Sequence, residues 1–233
     1  MRGDTMNILK LLLETADFLI PDPANNLPMP LFAGLPYYVD VLNVGNWKLV
    51  RYLLLLVLMN CAGGLPAARQ ILRPNVFVLH RTGWRSWFQQ ILCRSLGIVF
   101  SVCLPLLAID LLRYQEAKTL YAWLLFTLHM EMTAAVQALL MALYDNAIAS
   151  VSAVTAVQLI SLFSSNPIPG AWALLLPGNW GALARTAEFE NPGAYGIFHG
   201  GFPLWAAFAL NAAVLLAICL FGWRPVRRKR MKQ

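Results

Sequence analysis

Two ionisable residues inside an apolar run are the first to invite a chemical reading. His129 and Glu131 both fall within the hydrophobic stretch 120–143. A charged group in hydrocarbon is costly, so such a residue marks either a functional site or a paired junction. The two do not make an acid–base dyad. Two positions apart on a helix, they project about 200° from one another, onto opposite faces. His129, Thr133 and Gln137 instead recur at every fourth position and form one polar stripe.

The next apolar run carries Ser152, Thr155, Gln158 and Ser161, and the last one carries Asn211. Three uses of these residues stand open. They are hydrogen-bonding glue between membrane helices, the lining of a substrate path, or a catalytic centre on Glu131 or His129. Ala149/Ala153 and Ser152/Ala156 are small-xxx-small pairs of the kind that permits close helix approach. Asp110 and Arg113 read as an ion pair at an outer surface, and Asp145-Asn146 reads as a turn with a helix cap.

Motifs for soluble chemistry are missing. The chain has no HExxH, GxSxG or Walker A pattern and no pair of carboxylates on one face. No catalytic residue is therefore assigned, and ATP, if used, must bind another polypeptide. The four cysteines, Cys61, Cys93, Cys103 and Cys219, lie in or beside apolar runs without a CxxC or Cys/His cluster. They read as small hydrophobes, with no disulfide framework and no metal site. His199 stands in a Gly-rich stretch without a second ligand nearby in sequence.

The elements that must carry these residues are membrane spans. Of 233 residues, 59% are hydrophobic and 12% charged, with mean hydropathy +0.59, where a soluble domain has about 25% charged residues. The net charge of +7 does not indicate nucleic acid, because eleven of the eighteen Lys and Arg lie in two clusters, 69–94 and 224–232, each beside an apolar run. That is the pattern of positive-inside topology with anionic headgroups. The spans expected are about 49–66, 91–112, 120–143, 147–163 and 204–223. Five spans place the 69–94 segment and the tail 224–233 on the same, cytoplasmic side of a plasma membrane.

Before the spans, residues 7–20 form an amphipathic pattern too short and too charged to cross a bilayer. Prolines keep 21–46 irregular. Between the last two spans, 164–202 is rich in Pro and Gly, and 167–185 reads as one or two short helices dipping into the outer leaflet. In the basic segment, Trp84, Trp87 and Phe88 share one helix face beside Arg81 and Arg85. Such a face suits either the headgroup layer or the groove of a partner.

This order of parts resembles the permease subunits of ABC-2 type exporters, in particular small stand-alone permeases of the bacteriocin-immunity and peptide-export kind. The likeness covers about residues 47–223, and its most telling pieces are LHRTGWRSWFQQILCRSLG (79–97) and LLPGNWGALAR (175–185). It implies an all-α helical membrane bundle that pairs with a second permease copy and with a soluble ABC ATPase holding ATP and Mg. It further implies ATPase coupling through Arg73, His80, Arg81, Trp84, Arg85 and Trp87. The substrate path would run along His129, Glu131, Thr133, Gln137, Thr155, Gln158 and Asn211. The outer gate would comprise Trp172, Pro177, Asn179, Trp180 and Arg185. The family pattern has one more span at the front, where this chain has only 7–20. The alternatives are a non-catalytic accessory or immunity protein, or an intramembrane enzyme.

Overall fold

The computed structural model describes residue 32 and residues 47–71, 76–114, 117–165, 171–188, 191–193, 196–198 and 201–231. They form an all-α polytopic bundle. Its helices are α1 (Trp47–Ile71), α2 (Val76–Tyr114), α3 (Ala117–Tyr144), α4 (Ala147–Ser165), α5 (Leu204–Phe221) and a short α6 (Trp223–Arg230). The first five are long and apolar enough to cross a membrane. Between α4 and α5 lie three 3-10 helices, Ala171–Leu175, Pro177–Asn179 and Leu183–Arg185. A two-stranded antiparallel hairpin follows, β1 (Asn191–Gly193) with β2 (Gly196–Phe198). The expected helix 7–20 and its proline-rich sequel lie outside the described residues, apart from Phe32. That residue is fully buried, its ring 5.2 Å from that of Phe126.

α3 is the central element. It packs against α1, α2, α4, α5 and α6, and 67% of its span is buried within the protein, against 22–39% for the other four. Its polar stripe thus faces protein. Two apolar clusters build the core. One, at the end where α1 and α5 begin, contains Tyr52, Leu56, Phe126 and Phe202 and reaches Ala134 on α3. The other contains Ile71, Trp87, Phe88, Ala142 and Val226 and starts at Ala135. The first is called the far end below and the second the basic end.

The elements at the basic end depart from the sequence reading. α1 does not stop at Pro66 but runs through it to Ile71. A proline inside a membrane helix is tolerated because neighbouring helices take over the packing. Helix α2 begins at Val76, well ahead of the span expected from about 91. It is broken at Gly83, whose φ of 75° and ψ of 160° form a conformation essentially reserved for glycine. The basic segment is therefore a short helix over 76–82 joined at an angle to the span.

Trp87 and Phe88 are likewise not a surface for headgroups or a partner: they are 4% and 0% exposed. They pack beside Val226, and the Phe88 ring abuts Gly222. The start of the basic tail forms α6, which lies against α2 and α3 with Val226 buried.

The turn between α3 and α4 follows the sequence reading. Asp145 ends α3 in a left-handed conformation (φ 56°), its N–H bonded to the Met141 carbonyl at 2.8 Å. Asn146 then caps α4, its Oδ1 accepting the Ala149 N–H at 3.0 Å. Lys229 Nζ donates to Asp145 Oδ2 at 2.6 Å, tying α6 to this turn. The small-residue face of α4 is not taken up by a neighbour among the described residues. Ala149, Ser152, Ala153 and Ala156 are exposed, and α4 meets its neighbours through Ser150, Val154, Gln158 and Ser161.

The break at Gly83 yields a prediction. A side chain at this φ and ψ costs on the order of 1–3 kcal/mol. Gly83→Val should lower the detergent-solubilised protein's Tm by several degrees, whereas Gly97→Val, in a regular part of α2, should not. Equal Tm values for the two variants would contradict the break.

Candidate functional site

The polar residues of four spans meet around His129, which is 1% exposed. Its Nδ1 lies 3.0 Å from Asn211 Oδ1 on α5, and its Nε2 lies 3.1 Å from Gln158 Nε2 on α4. The partners decide the proton positions. Asn211 Nδ2 donates to the Trp180 and Ala207 carbonyls, both at 3.0 Å, so its Oδ1 must accept from the ring. His129 then carries its proton on Nδ1, and Nε2 accepts from Gln158. Gln158 Oε1 in turn accepts from Asn60 Nδ2 on α1, which also donates to Thr155 Oγ1 at 3.0 Å. One directional chain of hydrogen bonds, Asn60 to Gln158 to His129 to Asn211 to the Trp180 carbonyl, joins α1, α4, α3, α5 and the 3-10 segment.

The 3-10 segment is held there by close approach. A Cβ at Gly178 would come within 2.6 Å of the Gln158 backbone, and one at Gly181 within 2.6 Å of the His129 ring. These glycines let the segment's backbone lie against the α4 backbone at Gln158 and flat on the His129 ring. The segment is also knit internally. Asn179 Nδ2 donates to the Ala173 carbonyl at 3.0 Å and Trp180 Nε1 to the Leu174 carbonyl at 2.7 Å.

Arg185, 1% exposed, donates through Nη1 to Asn179 Oδ1 at 3.0 Å and to the Leu162 carbonyl at 3.2 Å. Leu162 lies in the last turn of α4, where carbonyls lack intrahelical donors and the helix dipole favours a cation. The Glu188 carboxylate accepts the Leu204 N–H and so caps the start of α5.

Beneath this roof a cavity of about 270 Å3 opens between α3, α4 and α5. Its walls are apolar, including Met132, Val136, Leu140, Val154, Val157 and Val214. Polar groups appear at one end only, from His129, Thr133 and Gln158, with Pro177, Gly178 and Trp180 above. Among the described residues no group of three or more His, Cys, Asp or Glu is arranged to hold a metal ion.

The structure brings together most, though not all, of the residues predicted for the path. His129, Gln158, Thr155 and Asn211 share the chain of bonds. Thr133 lines the cavity, its hydroxyl turned back to the Met130 carbonyl at 3.0 Å. Gln137 is fully buried against Gly64, and its amide has no hydrogen-bond partner among the described residues. Glu131 is half-buried and outside the chain of bonds, as its position opposite His129 requires.

Among the residues predicted for the gate, Asn179, Trp180 and Arg185 pack as one unit and Pro177 edges the cavity, but Trp172 is exposed at 38% and stands apart. Arg73 and the side chains of His80 and Arg81 lie outside the described residues. Arg85 is exposed, and Trp84 is half-buried with its ring edge-on to Trp87, the centroids 5.9 Å apart. Since Trp87 is buried, it cannot be part of a docking surface.

Sequence reasoning missed Asn60, Gly178, Gly181 and the burial of Asp110. An asparagine amid the leucines of LLLLVLMN was a usable signal. Asp110, read as a surface ion, is 1% exposed. Compared with known protein families, curated proteins and solved structures, the chain matches none. The likeness to exporter permeases therefore rests on the order and texture of its segments.

The network separates structural from reactive roles. His129→Ala strands the Asn211 oxygen and the Gln158 N–H, each worth about 1–3 kcal/mol when buried unpaired. Thermal unfolding of the purified protein should show a clear loss of stability. Glu131→Gln should stay within about 0.5 kcal/mol of the parent. Gly181→Ala should destabilise by about 1–3 kcal/mol through overpacking against the ring. A Gly181→Ala protein as stable as the parent would show that the segment does not rest on His129.

Proposed function

We propose that this multi-pass membrane protein is the membrane-spanning permease subunit of an ATP-driven ABC exporter. The observation that carries the reading is the cavity between α3, α4 and α5, apolar along its walls, polar at one end and roofed by the 3-10 segment. At about 270 Å3 it sits just below the usual ~300–1,000 Å3 of a complete ligand pocket. It suits the apolar part of an amphipathic peptide or lipid-like substrate with a polar group near His129 and Gln158. The roof of Pro177–Arg185 would be the outer gate. A fully hydrogen-bonded His129 fits a junction that holds this gate, more than it fits an acid–base catalyst.

In this reading the basic end faces the cytoplasm across the plasma membrane. The short helix before Gly83, with Arg85 beside it, meets a soluble ATPase that holds ATP and Mg, and a second permease copy or homologue completes the transporter. ATP-driven closure of the ATPases would push on this helix and rock the spans by alternating access. The chain itself would bind no cofactor.

The accessory or immunity reading has one observation in its favour. The exposed small-residue face of α4, with Ala149, Ala153 and Ala156, suits direct packing against another membrane protein. The two readings part on the ATPase. Purified in mild detergent, the full-length chain should bring down an ABC ATPase. Replacing Arg85 by Glu together with Trp84 by Ala should cut that recovery at least about tenfold, since each lost interface anchor costs ~1–2 kcal/mol. Ala153→Trp, which fills the cavity from an exposed position, should keep the ATPase but abolish export. Recovery of the protein with no ATPase, or with another membrane protein alone, would reject the exporter and favour the accessory reading.

A further inference from the structure

A second cleft has no part in the proposed path and shares none of its lining residues. It lies between α1 and α2 toward the basic end and has a volume of about 580 Å3. Arg69, close to the end of α1, and Arg94, on α2, both border it. Among the described residues neither arginine side chain has a hydrogen bond or ion pair, and no acidic residue borders the cleft. Both arginines are exposed and border one cleft, so an anion there would meet two cationic side chains at once.

Gln70 stands beside Arg69 at the mouth, and apart from it and Ser101 the rest of the cleft is apolar and open. Leu65 and Ile98 are 53% and 38% exposed. A Cβ at Gly97 would meet nothing within 4 Å. Ser101 adds no free polarity, because its hydroxyl is turned to the Gly97 carbonyl at 2.6 Å. The site thus has a cationic mouth at the end of two spans and an apolar trough leading along them.

We propose that this cleft binds an anionic phospholipid of the surrounding membrane, its headgroup phosphate held between Arg69 and Arg94 and one acyl chain lying over Leu65, Gly97 and Ile98. Guanidinium groups suit a phosphate because they offer paired donors in a plane and remain charged near an apolar surface. Arginine stems at a span's end also place their heads at headgroup level. A free inorganic phosphate would use the mouth but leave the trough unfilled, which is why a lipid is the occupant. The proposal does not depend on the exporter reading.

The test uses the full-length protein in mild detergent, with phosphatidylglycerol, phosphatidylcholine or inorganic phosphate added. Lipid retention is read by native mass spectrometry and protection by Tm. Phosphatidylglycerol should be retained and should raise the Tm, while phosphatidylcholine and inorganic phosphate should do neither. Arg69→Gln and Arg94→Gln should each weaken phosphatidylglycerol binding about fivefold, and together about 25-fold.

Arg227→Gln with Arg228→Gln, on the exposed face of α6, should leave binding unchanged. Gly97→Leu keeps both arginines and places a side chain in the trough from a position whose Cβ meets nothing within 4 Å, and should reduce lipid retention while the protein stays folded. It decides the matter if the double arginine variant does not fold. Wild-type retention by Gly97→Leu would overturn the proposal. So would equal loss from the α6 pair, or protection by phosphate equal to that by phosphatidylglycerol.

Discussion

One buried imidazole sets the terms for the bundle. Inside a membrane there is no water to take up a stranded donor or acceptor, so both nitrogens of His129 must find partners from protein. Asn211 meets one and Gln158 the other, and each of these is in turn committed elsewhere. Satisfying one ring thereby fixes the relative rotation and depth of α3, α4 and α5 and draws in α1 through Asn60. Apolar packing alone holds membrane helices together with little directional preference, since lipid tails are as apolar as leucine. The hydrogen bonds supply the direction.

The same constraint explains the irregular chain between α4 and α5. Backbone at membrane depth that is not a long helix must satisfy its polar groups within protein. The 3-10 segment does so through its own turns, through the side chains of Asn179 and Trp180, and through Arg185 at the end of α4. Gly178 and Gly181 bring it close enough to rest on Gln158 and His129. A rigid cap over a mostly apolar cavity results, and the cavity's polar end coincides with the junction that holds the cap.

The basic end is organised by charge and by one backbone break. Lys229 and Asp145 join α6 to the turn between α3 and α4, while Trp87 and Phe88 fill the space between them and α2. These aromatics lie on one helix face, as their spacing requires. That the face points inward depends on α6 folding back to cover it, and no local pattern in α2 encodes that. The outward small-residue face of α4 is the converse: the spacing permits close packing, but among the described residues no helix takes it up.

What the sequence determined by itself follows from composition and short-range geometry. Its charge deficit and five apolar runs require a helical membrane bundle, and the recurrence of His129, Thr133 and Gln137 at every fourth position requires a polar stripe on one helix face. The Asp145-Asn146 turn and the separation of Glu131 from His129 were equally legible, because each is a matter of a few residues on one helix. The tertiary structure decided everything that depends on two elements meeting. It chose Asn60, Gln158 and Asn211 as partners of the stripe, buried Arg185 and Asp110, turned Trp87 inward and brought Arg69 and Arg94 to one cleft. Periodicity states which residues share a face, but only packing between distant segments states what that face meets.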